Sequence, residues 1–271
     1  MLNEINEATE FIKKRGVIDV EVGVILGTGL GNRFVKEIKN QFVINYNVIP
    51  HFSTATVESH KGQLIYGDVK GKKVLAMRGR FHYYEGYSMR QITLPVRVMK
   101  LLGIENLLIS NAAGNMNTKW KKGELMMIED HINLQHDNPL RGENYEMLGP
   151  RFPDMSQPYD LALSKKLQAI AKKKKIKLNK GVYVGVMGPN LETRAEYRFL
   201  RNIGGDAVGM STVPEVIVAN HMRVPTCAVS VLTDDCDPDN LKPANFADIV
   251  KVANKAEPKL TELFVELIKQ L

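Results

Sequence analysis

The sequence predicts an α/β protein in which helices cover the faces of a mixed β-sheet. Short apolar segments of strand length alternate along the chain with longer segments whose apolar residues recur at helical spacing. Two neighbouring apolar segments are separated only by a turn around Gly71, which predicts an antiparallel hairpin and makes the sheet mixed. The length of 271 residues and a hydrophobic fraction of 44% fit a single domain over residues 1–271.

The predicted strands are short apolar segments bounded by glycine or polar residues. In chain order they are VGVIL (22–26), QLIYGDV (63–69), KVLAMRG (73–79), NLLISNAAG (106–114), YVGVMG (183–188), DAVGM (206–210) and TCAVSVL (226–232). Several of them end in small or polar residues. In open α/β sheets, ligands bind at the carboxyl ends of the strands, so these ends are the candidate site.

Three helices have clear sequence signals. The segment SMRQITLPVRVMKLLG places apolar residues at helical spacing and ends at Gly103, a typical C-terminal cap. The segment TRAEYRFLRNIG begins with Thr193 and Glu196 at the spacing of a capping box. From about Ala244 onward, the chain reads as one long amphipathic helix.

Composition bounds the compartment and the class of partner. The N-terminal residues carry acids and lack an unbroken apolar run, and no segment is long enough to span a bilayer, so a cytoplasmic protein without membrane contact is expected. The two cysteines, Cys227 and Cys236, fit a reducing compartment and match no zinc spacing. His136 and Asp137 are adjacent but have no second ligand pair at suitable spacing, so no metal site is predicted.

The formal net charge of +7 is concentrated in KKKKIKLNK (172–180), which we interpret as a helix end and the linker after it. Because no aromatic residues are interleaved for base stacking, a solvated basic face is favoured over a nucleic-acid surface. Attraction of small anionic substrates is a milder interpretation of the same charge.

The stretch VGVILGTGLGNRF joins a buried strand to a glycine-rich turn. Its glycines are spaced G-x-G-x-G, whereas a dinucleotide-binding turn has G-x-G-x-x-G, and no acidic residue follows at the end of a second strand. An NAD enzyme is therefore disfavoured. The turn is either structural or a cradle of backbone N–H groups for a small anion.

Four further polar features stand at predicted strand ends. Arg80 and His82 in RGRFHYYEGYS offer donors that match phosphate oxygens, although an exposed polar loop would look similar. Ala112 lies in a small-residue turn that permits close approach of a ligand. Glu192 precedes a helix start, where it could bind ligand N–H groups or merely complement the helix N-terminus. Ser211 is either an anion ligand or a helix cap.

Taken in order, the segments ILGTGLGN, ESHKGQLIYG, RGRFHYYEGY, ISNAAGNMN, GPRFPDMSQPYD, GVMGPNLET and DAVGMSTVPEVIVANH closely resemble the trimeric purine nucleoside phosphorylases. The resemblance extends over nearly the whole chain. It implies a three-layer α/β/α fold with a mixed sheet, and a homotrimer whose active sites lie near subunit interfaces. The implied reaction is reversible phosphorolysis of a purine nucleoside to free purine and ribose 1-phosphate. No metal or organic cofactor is implied, since inorganic phosphate is a co-substrate.

The resemblance also assigns residues to the two substrates. The implied phosphate-binding residues are Thr28, His60, Arg80, His82, Ala112 and Ser211. The implied nucleoside-binding residues are Tyr84, Phe152, Tyr183, Leu191, Glu192, Met210, Thr233, Asp234 and Phe246, with Phe152 lent by a neighbouring subunit. His82, Glu192 and Asp234 are the implied catalytic residues.

Three positions depart from the pattern of the family. Leu191 stands where the mammalian enzymes have a phenylalanine over the base, and Phe246 stands where they have a histidine near the ribose 5′-hydroxyl. Asp234 replaces an asparagine that faces N7 and the 6-substituent of the purine. The Thr233–Asp234 pair is reminiscent of methylthioadenosine phosphorylases, whereas the remaining motifs follow the nucleoside phosphorylases.

Inosine and guanosine are the expected main substrates, because Glu192 would accept hydrogen bonds from N1–H of a 6-oxopurine. Two alternatives stay open at this point. One is a phosphorylase of the methylthioadenosine or adenosine type, and the other is a non-catalytic nucleoside-binding protein of the same fold.

Overall fold

The computed structural model describes residues 1–54 and 61–271. The strands are β1 (Val22–Leu26), β2 (Lys39–Asn45), β3 (Gln63–Val69), β4 (Lys72–Arg78), β5 (Asn106–Asn115), β6 (Leu125–Asn133), β7 (Leu178–Gly185), β8 (Ala207–Gly209) and β9 (Thr226–Asp235). The helices are α1 (Leu2–Lys13), α2 (Phe34–Glu37), α3 (Met89–Leu101), α4 (Leu161–Lys174), α5 (Arg194–Asn202), α6 (Val213–His221) and α7 (Phe246–Ile268). Every strand and helix that the sequence predicts is present, with ends that shift by a few residues.

The strands of the described part of the chain form one mixed sheet in the order β2-β3-β4-β1-β5-β8-β7-β6-β9. Strand β1 is parallel to β4 and β5, and β5 is parallel to β9. The pairs β3–β4, β5–β8 and β6–β9 are antiparallel. Because β5 also pairs with β9, the strands β5, β8, β7, β6 and β9 close into a ring.

Helices cover both faces of the sheet, which confirms the α/β/α fold. Alternate residues of β1 explain the two layers: Ile25 packs into the core under α1, α3 and α6, whereas Val24 and Leu26 pack into the core under α2, α4 and α7. A smaller apolar cluster lies beneath α5. Because successive side chains of a strand point to opposite faces of the sheet, β1 contributes residues to the apolar cores on both faces.

The hairpin around Gly71 and the capped helices form as the sequence predicts. Lys70 and Gly71 both have positive φ, at 52° and 88°, which suits the tight turn between β3 and β4. Thr193 Oγ1 accepts a hydrogen bond from Glu196 N, and the Glu196 carboxylate accepts one from Thr193 N, so the capping box before α5 is present.

Two strands are missing from the sequence prediction. Strand β2 is an edge strand whose residues are almost all exposed, so it has no apolar run to reveal it. Strand β6 carries charged and polar residues in its second half, which hide its strand character. The interpretation of 172–180 was also partly wrong, since α4 ends at Lys174 and β7 already begins at Leu178.

Among the residues that the structure describes, no helix combines the length and the apolar character that crossing a membrane requires.

Candidate active site

Most of the predicted site residues line one cavity of about 370 Å³ at the carboxyl ends of β1, β4, β5 and β9. They are Thr28, Arg80, His82, Tyr84, Ala112, Leu191, Glu192, Met210, Ser211, Thr233, Asp234 and Phe246. A larger cleft of about 920 Å³ opens beside this cavity and shares Leu191, Glu192 and Asp234 with it. The smaller cavity carries the predicted chemistry, so we take it as the active site.

The glycine turn after β1 fits closely against β5. A Cβ atom on Gly27 would lie 2.8 Å from both Asn111 Cα and the Ser110 carbonyl oxygen, so a side chain cannot be accommodated there. Gly27 N also donates to Ser110 Oγ over 3.3 Å. Gly29 has a φ of 71° and packs against Ala253 of α7. This turn places Thr28 at the cavity wall.

Arg80 is 1% exposed and lies in a buried polar network. Its Nη1 donates to Ser211 Oγ over 2.9 Å and to Thr212 Oγ1 over 3.0 Å, and its Nη2 donates to the Ser110 carbonyl over 2.5 Å. Glu215 Oε2 lies 3.4 Å from Nη1. These contacts fix the guanidinium and provide a positive charge at the base of the cavity.

The His82 ring is held by Glu85 and Tyr84. Glu85 Oε1 lies 3.0 Å from His82 Nδ1 and accepts a second hydrogen bond from His82 N over 2.8 Å. The Tyr84 ring stacks on the imidazole at a centroid distance of 4.6 Å. Burial lowers the pKa of His82, and Arg80 lowers it further, against the opposing effect of Glu85. The ring is therefore neutral near pH 7, and a hydrogen on Nδ1 makes Nε2 the acceptor.

A β-bulge brings Asp234 to the cavity. Ala113 pairs with Leu232 and Gly114 pairs with Asp234, which leaves Thr233 as the extra residue of β9. Thr233 Oγ1 lies 2.8 Å from Asp234 Oδ1 and donates to it. A Cβ atom on Gly114 would lie 2.5 Å from Cys236 Sγ, so only glycine fits beside this thiol. The bulge places Asp234 at the cavity.

Glu192 stands one residue before Thr193, the N-cap of α5, and lines the same cavity as Asp234. Burial raises the pKa of Glu192, and the nearby charge of Asp234 raises it further. Two carboxylates therefore share one end of the cavity. Such a pair can accept hydrogen bonds from a ligand or hold a proton between them.

Apolar side chains complete the cavity. Leu191 and Phe246 are 45% and 52% exposed, so they stand at its mouth. The Met210 side chain occupies the space beside Gly188, whose φ of 69° and missing Cβ permit this approach.

Burial raises the pKa of Tyr84 to about 12, so its hydroxyl keeps its proton at neutral pH.

The structure does not place three of the predicted residues at the cavity wall. Tyr183 is fully buried, and its hydroxyl accepts a hydrogen bond from Ser211 N over 3.3 Å, so it supports Ser211 from behind. Phe152 is 88% exposed and lines a separate pocket with Arg151 and His131. His60 lies outside the residues that the structure describes.

Two supporting carboxylates were not assigned a role from the sequence. Glu85 follows His82 by three residues, a spacing at which a side chain can reach back to the histidine. Glu215 lies in the first turn of α6, where an acid is ordinary, so nothing in the sequence ties it to Arg80. Only the contact between Glu85 and His82 could therefore have been suspected from sequence spacing.

Comparison with known proteins agrees with this geometry. The model of the Phosphorylase superfamily matches residues 21–269. Purine nucleoside phosphorylase 1 of Bacillus subtilis (strain 168) is 46% identical over 270 residues, which cover 100% of this chain and 99% of that protein. Purine nucleoside phosphorylase of Mus musculus is 44% identical over 257 residues, with 92% and 88% covered.

A solved structure also matches this chain closely in fold and sequence. Isoform 2 of purine nucleoside phosphorylase from Schistosoma mansoni, in complex with cytosine and ribose-1-phosphate, superposes with a TM-score of 0.93 at 40% identity. The match covers 99% of this chain and 96% of that one. The chain therefore belongs to the purine nucleoside phosphorylases of the Phosphorylase superfamily.

Proposed function

We propose that the chain catalyses the reversible phosphorolysis of purine nucleosides, mainly inosine and guanosine, to free purine and ribose 1-phosphate. The observation that carries this proposal is the convergence of a glycine turn, Arg80, His82 and Ser211 on one cavity whose lining also holds Glu192 and Asp234. The first group suits an anion, and the two carboxylates suit the polar edge of a purine.

Phosphate binds beside Arg80, in the positively charged part of the cavity. Arg80 supplies positive charge, and the Ser211 hydroxyl, which accepts from Arg80, has its own hydrogen to donate to a phosphate oxygen. Thr28 and the backbone at Ala112 approach from the two adjoining strand ends. Neutral His82 accepts a hydrogen bond from a protonated phosphate oxygen. His60, which lies beyond the described residues, completes this set in our proposal.

Phosphorolysis then proceeds without a covalent enzyme intermediate. A phosphate oxygen attacks the anomeric carbon as the bond to N9 breaks, and the electron pair of that bond passes to the purine. The negative phosphate stabilises the positive sugar of the transition state, and positioning supplies much of the rate. Asp234 provides the contact to N7 that stabilises the departing base, and Glu192 orients the base. No metal or organic cofactor enters this scheme.

The preference for 6-oxopurines rests on Glu192, which accepts from N1–H. With a 6-oxopurine, a protonated Asp234 donates to O6 and its carbonyl oxygen accepts from a protonated N7. We expect a smaller activity toward 6-aminopurines, because the same carboxyl can accept from the amino group and donate to N7. The test is a panel of inosine, guanosine, adenosine and methylthioadenosine with phosphate, measured for the wild type and Asp234→Asn. Asp234→Asn should suppress the 6-amino activity and preserve inosine cleavage.

A phosphorylase of the methylthioadenosine or adenosine type is the second candidate. The observation that favours it is that Asp234 and the apolar ring of Phe246 line the same cavity. An apolar ring gives no hydrogen bond to a 5′-hydroxyl and suits an apolar 5′-substituent. Adenosine or methylthioadenosine cleavage well above inosine cleavage in the same panel would replace our assignment with this one.

The proposal includes a homotrimer in the cytoplasm. Phe152 is an exposed ring remote from the cavity of its own chain, which is what a residue lent to a neighbouring subunit requires. The two cysteines, Cys227 and Cys236, are buried and form no disulfide, in keeping with a reducing compartment.

A further inference from the structure

Thr212, the N-cap of α6, has an unusual backbone conformation. Its φ is 69° and its ψ is −52°, and Val213 N donates to the Ser211 carbonyl oxygen over 2.7 Å. Together these values define a γ-turn of positive φ, which is rare and strained. The strain is greater for a β-branched residue such as threonine. A conformation of this kind persists only where the surrounding structure holds it, so the contacts of Thr212 indicate what it is for.

The Thr212 hydroxyl is completely buried and is held by two groups that can only donate. Arg80 Nη1 donates to Thr212 Oγ1 over 3.0 Å, and Asn111 Nδ2 donates to it over 2.9 Å. Both lone pairs of this oxygen are therefore occupied. Ser211 Oγ lies 3.2 Å from Thr212 Oγ1. The hydrogen of the Thr212 hydroxyl is therefore donated to Ser211 Oγ.

The Ser211 hydroxyl is left with one direction for its own hydrogen. Its oxygen accepts from Arg80 Nη1 over 2.9 Å and from the Thr212 hydroxyl. Arg80 has no acceptor atom, and Thr212 Oγ1 already accepts two hydrogens, so neither neighbour can take the hydrogen of Ser211. Ser211 lines the active-site cavity, and Thr212 lies buried behind it. The hydrogen of Ser211 is thus available to a ligand in the cavity.

The γ-turn explains how two adjacent hydroxyl groups reach one guanidinium nitrogen. In an extended strand, successive side chains point to opposite faces, so Ser211 and Thr212 could not both contact Arg80 Nη1 there. The sharp turn at Thr212 brings both side chains to the same atom, and the Thr212 carbonyl oxygen still accepts the first helical hydrogen bond, from Val216 N. The strained turn therefore serves the hydroxyl pair.

We propose that Thr212 is a positioning residue, which directs the hydroxyl hydrogen of Ser211 toward bound phosphate. Asn111 fixes the direction, because its amide donor prevents the Thr212 hydrogen from pointing to that side. The inference rests on the proposed function, since it assumes that phosphate occupies the cavity beside Ser211.

Arg80 does not depend on Thr212 for its position. Its Nη2 donates to the Ser110 carbonyl oxygen over 2.5 Å, and Glu215 Oε2 lies 3.4 Å from its Nη1. Loss of the Thr212 hydroxyl should therefore weaken phosphate binding through Ser211 and leave the guanidinium in place.

The test measures the KM for phosphate at saturating inosine and the KM for inosine at saturating phosphate. Thr212→Val keeps the shape of the side chain but has no hydroxyl, so the phosphate KM should rise about five- to tenfold while the inosine KM changes by less than about twofold. Thr212→Ser keeps the hydroxyl and should retain the wild-type constants. Thr9→Val is the matched control, because it removes a buried hydroxyl of α1 that donates to the Ile5 carbonyl oxygen, and it should change neither constant.

A double-mutant cycle with Ser211→Ala separates this role from a general loss of packing. Adding Thr212→Val to Ser211→Ala should raise the phosphate KM by less than about twofold beyond Ser211→Ala alone, because the hydroxyl that Thr212 orients is already gone. Effects of the two substitutions that multiply would overturn the proposal. An unchanged phosphate KM in Thr212→Val would overturn it as well.

Thr212→Gly decides the matter if Thr212→Val does not fold. Glycine adopts a φ of 69° without strain and also lacks the hydroxyl, so it should produce the same rise in the phosphate KM. A wild-type phosphate KM in Thr212→Gly would exclude the positioning role while leaving the proposed function intact. Failure of the wild type to release hypoxanthine from inosine with phosphate would instead contradict the proposed function.

Discussion

The guanidinium of Arg80 lies 3.4 Å from the carboxylate of Glu215, and both side chains are almost completely buried. Arg80 comes after β4, whereas Glu215 belongs to the first turn of α6. A buried ion pair of this kind joins two separate parts of the chain directly beneath the cavity. Arg80 therefore contributes both to the anion-binding part of the site and to the stability of the fold.

Arg80→Ala should therefore lower the free energy of unfolding by about 3–5 kcal/mol, because Glu215 would remain buried without its positive partner. Arg78→Ala is the matched control. Arg78 is half-buried and, among the described residues, donates to the side chains of Gln63 and Asn32, so its loss should cost about 1 kcal/mol. Both values can be measured by urea unfolding. A cost for Arg80→Ala no larger than that for Arg78→Ala would show that the ion pair contributes little.

His82→Ala should raise the KM for phosphate by about ten- to hundredfold and change the KM for inosine much less. The reason is that Glu85 and Tyr84 hold the His82 ring in the part of the cavity that is proposed to bind phosphate. His136→Ala removes an exposed histidine elsewhere and should change neither constant. Steady-state kinetics with phosphate varied at saturating inosine make the comparison. An unchanged phosphate KM in His82→Ala would remove His82 from the phosphate site.

Phe152→Ala should raise the KM for inosine and leave the KM for phosphate nearly unchanged, because a ring lent by a neighbour would cover the sugar. Light scattering should give a mass near three times 30.4 kDa. Phe199→Ala, which removes another exposed ring from α5, is the control. A fully active monomer would contradict both the trimer and the role of Phe152.

The stability of the wild type should depend on pH in part through His82. Burial lowers the pKa of this histidine below its unfolded value of about 6.5, so the unfolded state binds more protons as the pH falls. The contribution of neutral His82 is fully present above about pH 6.5 and is lost below it. Between about pH 7.5 and pH 5.5, the wild type should lose more unfolding free energy than His82→Gln. Equal losses would mean that other groups produce the pH dependence.

Much of the site could be predicted from the sequence because its residues stand directly at strand ends. The glycine turn follows β1, Arg80 and His82 follow β4, and Asp234 lies near the end of β9. Parallel strands bring their carboxyl ends to one edge of the sheet, so residues distant in sequence meet there. These strand-end positions explain why the glycine turn, Arg80 and His82 meet, whereas Asp234 entered the predicted site only through the family resemblance.

The supporting contacts could not be predicted in this way. The pairing of Arg80 with Glu215 depends on how α6 packs against α3 and β9, and a bulge between β5 and β9 places Asp234 at the cavity. Tyr183, which the resemblance assigns to the nucleoside, accepts a hydrogen bond from Ser211 N, a contact between β7 and the segment after β8 that the sequence does not reveal. Such contacts depend on register and packing, which a single sequence specifies only indirectly.

The most direct test of the account is the release of hypoxanthine from inosine in the presence and absence of inorganic phosphate. The account predicts that release requires phosphate and that one ribose 1-phosphate forms for each hypoxanthine. Hypoxanthine released at the same rate without phosphate, with free ribose as the sugar product, would identify a hydrolase. Binding of inosine with no release under either condition would identify a nucleoside-binding protein, and either result would contradict the account.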